Sequence, residues 1–298
     1  ALETPHNFLL YEDNRFQWQV LRQEPVSVHW AQGDVAFGQT ALDVVTAALE
    51  KITRDLGMNA PGRMDVYIYP DPASLQTALR LVGRTWVGGH ADAELGVALV
   101  SVAAGLGSRA EMQREIPHEL AHVLLYKLTG AEYRNLPLWL NEGAATLYEQ
   151  TAAPEYALVL EQAVQAGKVL PFSALCAGFP ADSETALLAY AQSVSLVRYL
   201  RDQYGSAQLA RLIGVYSDNV ACETGVQRVL GVSLATLAEH WLRDSFDASP
   251  FALQLRQKAA YGLLGLLFSL GPLAGFFLLA RRKPATSSVP PVRPSAAK

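Results

Sequence analysis

His118-Glu119-Leu120-Ala121-His122 constrains this chain more than any other segment, because its spacing has chemical meaning only on a helix. An α-helix turns about 100° per residue, so His118 and His122 fall within roughly 40° of each other and can share one metal ion, with Glu119 flanking the same face. The flanks are apolar, Ile116 and Pro117 before and Val123, Leu124 and Leu125 after, as expected for a helix buried at the floor of a cleft. The plainer alternative is a buried helix whose two imidazoles are satisfied by hydrogen bonds to other groups. Two starts are open for this helix: at the capping-box pattern Ser108-Arg109-Ala110-Glu111, with a bend at Pro117, or nearer to Pro117 itself.

A second segment, Trp139-Leu140-Asn141-Glu142-Gly143, supplies what the pentapeptide lacks. Pro137 suits a helix first turn and Asn135 a cap, so the pattern predicts a helix from Leu138 to about Gln150 that carries Glu142 inward. Gly143, Ala144 and Ala145 beside it let two helices approach closely. The stretch between His122 and Glu142 is long enough to end the first helix near Gly130, cross a loop and return. Two imidazoles and one carboxylate then make a His2Glu set with one vertex left for water, which is the donor pattern of a zinc peptidase.

With both segments in view, His118-Glu119-Leu120-Ala121-His122 and Leu140-Asn141-Glu142-Gly143-Ala144-Ala145 resemble the gluzincin metallopeptidases, specifically the aminopeptidase N family and the smaller peptidase MA-like families. The resemblance is specific over about residues 85 to 205 and loose before that. It implies that His118, His122 and Glu142 bind Zn2+, that Glu119 is the general base, and that peptides or proteins are the substrates. Tyr190-Ala191-Gln192-Ser193 is similar to a stretch in which a tyrosine, followed three residues later by glycine, stabilises the oxyanion; here Ser193 stands in place of that glycine. This similarity implies a catalytic role for Tyr190, and the competing reading is an aromatic on the core face of an amphipathic helix. Residues 88–100 occupy the place of the substrate-binding strand, with β-rich character from Leu95 to Val102. The Gly-Ala-Met-Glu-Asn signature of the aminopeptidases is absent, and with Gly96 aligned Ala93 falls where their amine-binding glutamate would be. The resemblance therefore implies a peptidase of unspecified substrate preference.

Location is addressed by Ala259 to Ala280, an uncharged run followed at once by Arg281-Arg282-Lys283. As a helix it would be about 33 Å long, comparable with a hydrocarbon core of roughly 30 Å, so it is expected to cross a membrane once. Lys and Arg are more numerous after the run than just before it, which puts the tail in the cytoplasm and the catalytic part outside. Gly271 and Gly275 have the spacing that lets membrane helices form a weak homodimer. The chain starts at Ala1 without an initiator Met or an evident signal peptide, and an exported domain implies that a leader was removed. Cys176 and Cys222 are the two cysteines, free to form a disulfide outside the cytoplasm and without metal-site spacing.

With 50% hydrophobic and 17% charged residues the chain can bury a sizeable core, while a net charge of −4 without a basic stripe argues against nucleic acid as a partner. Short strands are predicted at Asn7 to Tyr11, Phe16 to Leu21, Ser27 to Trp30 and Asp65 to Tyr69. A helix is predicted from Gly33 to Leu56, closed by Gly57, and another from Asp71 to Leu81. Beyond Glu142 the pattern reads helical at about Pro154 to Ala166, Ser183 to Tyr204, Ala207 to Tyr216, Thr224 to Leu230 and Leu234 to Asp244. Strands first and helices later predict an α+β, thermolysin-like (gluzincin) arrangement. Its parts are a mixed-sheet lobe over 1–107, a helical zinc-peptidase lobe over 108–250, a juxtamembrane and transmembrane helix over 251–283, and a disordered tail over 284–298. The remaining histidines, His6, His29, His90 and His240, lack ligand spacing, and only His90 falls near the expected cleft wall. Two other functional classes fit the same residues: a membrane-tethered binding or signalling ectodomain with a metal site but no turnover, and a soluble cytosolic hydrolase.

Overall fold

A computed structural model of the chain describes residues 13–59, 61–79, 89–151, 154–180 and 182–248. Its first half alternates strands and helices: β1 (Gln19–Gln23), β2 (Val26–Trp30), α1 (Val35–Leu56), β3 (Met64–Tyr69), α2 (Pro72–Ala78), β4 (Gly89–Asp92) and β5 (Val97–Ser101). The five strands form one sheet in the order β1-β2-β3-β5-β4. The inner strands β2, β3 and β5 run parallel, and β1 and β4 pair antiparallel at the two edges.

Strand alternation decides which side of this sheet is the core. Val26, Val28 and Trp30 of β2, Met64, Val66 and Ile68 of β3, and Ala98 and Val100 of β5 are all buried in the main core. The intervening positions point to the other side, where His29 bonds Asp65 at 3.0 Å and stacks on Tyr67. Helix α1 lays its apolar stripe on the core side. It is opened by the Asp34 carboxylate, which accepts from Phe37 N–H at 2.9 Å, and closed by Gly57 in the left-handed conformation.

The second half is helical: α3 (Ser108–Thr129), a short 3-10 helix (Gly130–Asn135), α4 (Leu138–Tyr148), α5 (Pro154–Ala166), α6 (Phe172–Ala177), α7 (Ser183–Tyr204), α8 (Ser206–Gly214), a second 3-10 helix (Val215–Asp218), α9 (Cys222–Leu230) and α10 (Leu234–Phe246). Helix α3 begins at Ser108 and runs through Pro117 without a break, which resolves its two candidate starts. Its N-cap is Gly107, with no side-chain cap bond, so the capping-box pattern marks the right place for a different reason. Helices α4 and α7 approach closely at Gly143, where a Cβ would lie 2.6 Å from the Ser193 carbonyl oxygen and 2.7 Å from Val197 Cγ2. Ser193 is small enough for this contact, and it turns its hydroxyl back to donate to the Ala189 carbonyl at 2.7 Å. Since the obstacle is backbone, Gly143→Ala is expected to destabilise by about 2 kcal/mol. Thermal unfolding should show this as a loss of roughly 5 °C, and an unchanged midpoint would contradict the close approach.

Several sequence expectations need correction. The first strand pair begins at Gln19 rather than Phe16, because Phe16 and Trp18 pack edge-on against Tyr69 and Tyr67 instead of entering the ladder. Leu95 and Gly96 belong to the turn between β4 and β5, where Gly96 adopts φ +72°, and the strand itself starts at Val97. The edge beside β5 is β4, a strand too short and too polar to be recognised from its own pattern. Asn135 does not cap α4: it ends the 3-10 helix and bonds Glu132, and Pro137 occupies the cap position. Cys176 and Cys222 form a disulfide that joins α6 to α9, and the Trp139 indole N–H donates to Cys222 Sγ at 3.4 Å. Among the described residues no helix is long and apolar enough to cross a membrane. The Ala259 to Ala280 run with its glycine pair, the tail over 284–298, His6 and the Asn7 to Tyr11 strand lie outside the described residues.

Candidate metal centre

Helix α3 carries His118 and His122 on one face, and α4 returns beside it with Glu142. The structure brings these three together: one ligand atom from each lies within 4.8 Å of the others. Glu142 Oε2 is 3.6 Å from His118 Nε2 and 3.8 Å from His122 Nε2. Donors held tetrahedrally at about 2.1 Å from a zinc ion would be about 3.4 Å apart, so the cluster fits such an ion with little adjustment.

The far sides of the imidazoles supply an independent test of that fit. His118 Nδ1 bonds Glu149 Oε1 at 2.9 Å. His122 Nδ1 lies 3.0 Å from Asn141 Oδ1 and 3.2 Å from the Tyr133 hydroxyl, which itself donates to Asn141 Oδ1 at 3.1 Å. An acceptor behind each ring favours a proton on Nδ1 and directs Nε2 toward Glu142, the arrangement that metal-ligating histidines require. Any buried imidazole needs such partners; what points to an ion is that both Nε2 atoms face the same carboxylate oxygen, Glu142 Oε2.

Electrostatics point the same way. Burial alone would lower the His118 pKa, but its bonds to Glu142 and Glu149 and the charge of Glu119 outweigh that and hold it well above the usual range. Burial lowers the His122 pKa, opposed mainly by the charge of Glu142. Glu142 is kept low in spite of its burial by the bond to His118 and the charge of His122. Glu119 is 6% exposed and has no hydrogen-bond partner among the described residues; burial, reinforced by the charges of Glu142, Glu115 and Glu149 against that of His118, pushes its carboxyl up to about 8. The metal-free site thus gathers acidic groups whose charge is offset by protons, held on His118 and on Glu119. A divalent ion among His118, His122 and Glu142 would take the place of those protons.

Glu119 is also enclosed from the sheet side. A Cβ on Gly89 would lie 2.7 Å from Glu119 Cγ and 2.8 Å from its Cδ, so edge strand β4 passes over the carboxyl only because residue 89 has no side chain. His90, the next residue, is exposed, and its charge opposes protonation of His122. Tyr190 projects from α7 with its ring edge-on to Phe179 at 4.9 Å. Burial raises its phenol pKa, and the charges of Glu142 and Glu119 add to the effect, which places Tyr190 within electrostatic reach of the cluster.

Glu149, Asn141, Tyr133 and Gly89 were not singled out by role in the sequence. Two of them carried a usable signal: Asn141 adjoins Glu142, and Glu149 follows it by two helical turns, which returns it to nearly the same face. Tyr133 acts through a 3-10 helix with no pattern of its own, and Gly89 matters only because of what lies beneath it.

Fold and site together outline a candidate metal centre with the gluzincin pattern, two histidines one helical turn apart and a glutamate from a following helix that could hold an ion between them. The family model described as Peptidase MA superfamily matches residues 44–246, more than half of the chain. The chain belongs to the peptidase MA superfamily. It is similar to the M1 zinc metallopeptidase from Deinococcus radiodurans, with 17% identity over 72% of this chain and 47% of that one and a TM-score of 0.41. It is also similar to a two-domain M1 zinc metallopeptidase mutant bound to L-arginine, with 16% identity over 76% and 51% of the two chains and a TM-score of 0.45. The chain spans about half the length of these solved structures. No curated protein matches it.

Proposed function

We propose that this protein is a membrane-anchored zinc metallopeptidase that hydrolyses peptide bonds with Glu119 as general base. The observation that carries the reading is the convergence of His118, His122 and Glu142 on one point, with the buried carboxyl of Glu119 next to His118. Zn2+ held by these three would supply Lewis acidity to a water molecule and to the scissile carbonyl. Glu119 would take the proton of the attacking water and pass it to the leaving amine. A neutral acid cannot do the first of these, and the positive charge of a bound ion would draw the Glu119 pKa down and leave a carboxylate at neutral pH.

An extended peptide added along β4, the last strand of the sheet among the described residues, would run past Gly89 and so over Glu119. Tyr190 would donate its hydroxyl proton to the oxygen that gains negative charge. A phenol is protonated, and so a donor, at neutral pH in any case, and burial raises its pKa further. Tyr190→Phe is expected to reduce kcat by about a hundredfold or more with metal content and KM unchanged. Steady-state kinetics beside metal analysis would check this, and an unaltered kcat would return Tyr190 to the role of a packing residue.

Membrane attachment is supported by the uncharged run from Ala259 to Ala280, and an extracytoplasmic catalytic domain by the basic residues that follow the run. The Cys176–Cys222 disulfide suits an oxidising compartment. Metal analysis of the purified protein, combined with cleavage of a broad peptide library by the wild type and by Glu119→Gln, tests the activity. Zinc bound without any Glu119-dependent cleavage would support the tethered binding ectodomain instead. Protease accessibility on intact cells tests the orientation.

A further inference from the structure

We infer that Pro117 is a positioning residue for the metal centre: by removing a backbone donor from α3 it leaves the Gln113 carbonyl free to hold Gln150, and Gln150 in turn fixes Glu149 against His118. The inference rests on the metal-site reading above.

Pro117 lies well inside α3, where a proline has no N–H to give to the carbonyl four residues earlier and its ring pushes that carbonyl aside. The carbonyl four residues before Pro117 belongs to Gln113. Its partner comes from elsewhere in the chain: Gln150 N–H donates to Gln113 O at 2.8 Å. This bond joins the middle of α3 to the chain just beyond α4.

Glu149 needs such a restraint. It is the C-cap of α4: its φ of −54° is still helical, which keeps it near the face of Glu142, but with ψ 127° the chain leaves the helix there, so no further helical turn restrains its backbone. The Gln150 tether holds the backbone immediately after it, and Glu149 Oε1 then meets His118 Nδ1 at 2.9 Å. Pro117 and His118 are neighbours in sequence, so the residue that opens the acceptor and the ligand that gains the restraint ride on the same turn of helix. The tether is built of backbone atoms on both sides. Its strength is therefore independent of the Gln113 and Gln150 side chains and depends on which positions carry an N–H.

The test is the dissociation constant for Zn2+, measured on the full chain by chelator competition, with Co2+ absorption spectra as a report on ligand geometry. Pro117→Ala restores a donor inside α3 and is expected to weaken metal binding by about 10- to 100-fold and to alter the Co2+ spectrum. The unfolding midpoint of the metal-free chain should stay the same or rise, because alanine suits a helix interior better than proline does. A purely structural role would move stability and affinity in the same direction. Gln150→Pro removes the donor from the other side without touching α3. The backbone of Glu149 already has the extended conformation that a residue before proline adopts, so this variant should show the same loss. Gln150→Ala keeps the N–H and should bind as the wild type does. In a Glu149→Ala background, Pro117→Ala should add no further loss. Wild-type affinity in Pro117→Ala or in Gln150→Pro, or losses that multiply in the double variant, would overturn the inference. Absence of metal binding by the wild-type chain would instead overturn the metal-site reading on which it rests.

Discussion

Glu119→Gln is expected to lower kcat by about three orders of magnitude while leaving the metal in place, the range lost when a positioned general base is removed. Glutamine keeps the shape that fits beneath Gly89 and donates nothing to His118, His122 or Glu142, so the ligand set is undisturbed. The same substitution should have an opposite effect on the metal-free protein. A carboxyl whose folded pKa is about 8, raised from an ordinary 4.5, binds its proton more tightly in the native state than in the unfolded chain. Native protein then carries the excess proton between about pH 4.5 and pH 8, and stability falls as pH rises through that window. Glutamine has no charge to desolvate, so metal-free Glu119→Gln should be more stable than wild type at pH 8 by roughly 2 to 4 kcal/mol, with a flatter dependence on pH. Parallel thermal unfolding curves at pH 5 and pH 8 would show this. Equal pH slopes for the two proteins would mean that Glu119 is not held as a buried acid.

Glu142→Ala should abolish both properties that Glu119→Gln separates. It removes the one carboxylate that faces both Nε2 atoms, at 3.6 and 3.8 Å, and leaves two imidazoles that cannot alone complete the site. Loss of at least a hundredfold in metal affinity is expected, with no activity at ordinary metal concentrations. Wild-type metal uptake at neutral pH should also release protons, because His118 is held well above its usual pKa and Glu119 near 8 until an ion replaces their protons. Calorimetry in buffers of different ionisation enthalpy would count them, and the expected release is between about one and two per ion. Zinc bound by Glu142→Ala with wild-type affinity would show that the ion is held elsewhere.

The contrast between these two carboxylates shows how far the sequence could be read. Glu119 and the two histidines are legible because helical spacing is local: once residues 118–122 are helical, their shared face follows. Glu142 required a non-local step, the return of a second helix, and the pattern around Pro137 and Gly143 made that return visible. Most helix bounds after Glu142 were legible for a similar reason, since Ser183 to Tyr204 and Pro154 to Ala166 carry their periodicity and their ends within themselves. Strand β4 was not, because four residues hold too little pattern to stand apart from a loop, and its place at the sheet edge depends on β5 pairing on its other side.

By itself, then, the sequence determined which groups could meet: two imidazoles and a carboxyl on one helical face, a distant glutamate, and small residues that let α4 approach α7. Local geometry suffices for these, because the helix converts spacing directly into direction. Tertiary structure alone decided how the centre is held: Glu149 and Asn141 behind the imidazoles, Tyr133 beside Asn141, the side-chain-free passage of Gly89 over Glu119, and the Gln150 bond that Pro117 makes available. Each of these joins atoms from different elements, and their distances follow from how helices and sheet pack together, which no periodicity along the chain records.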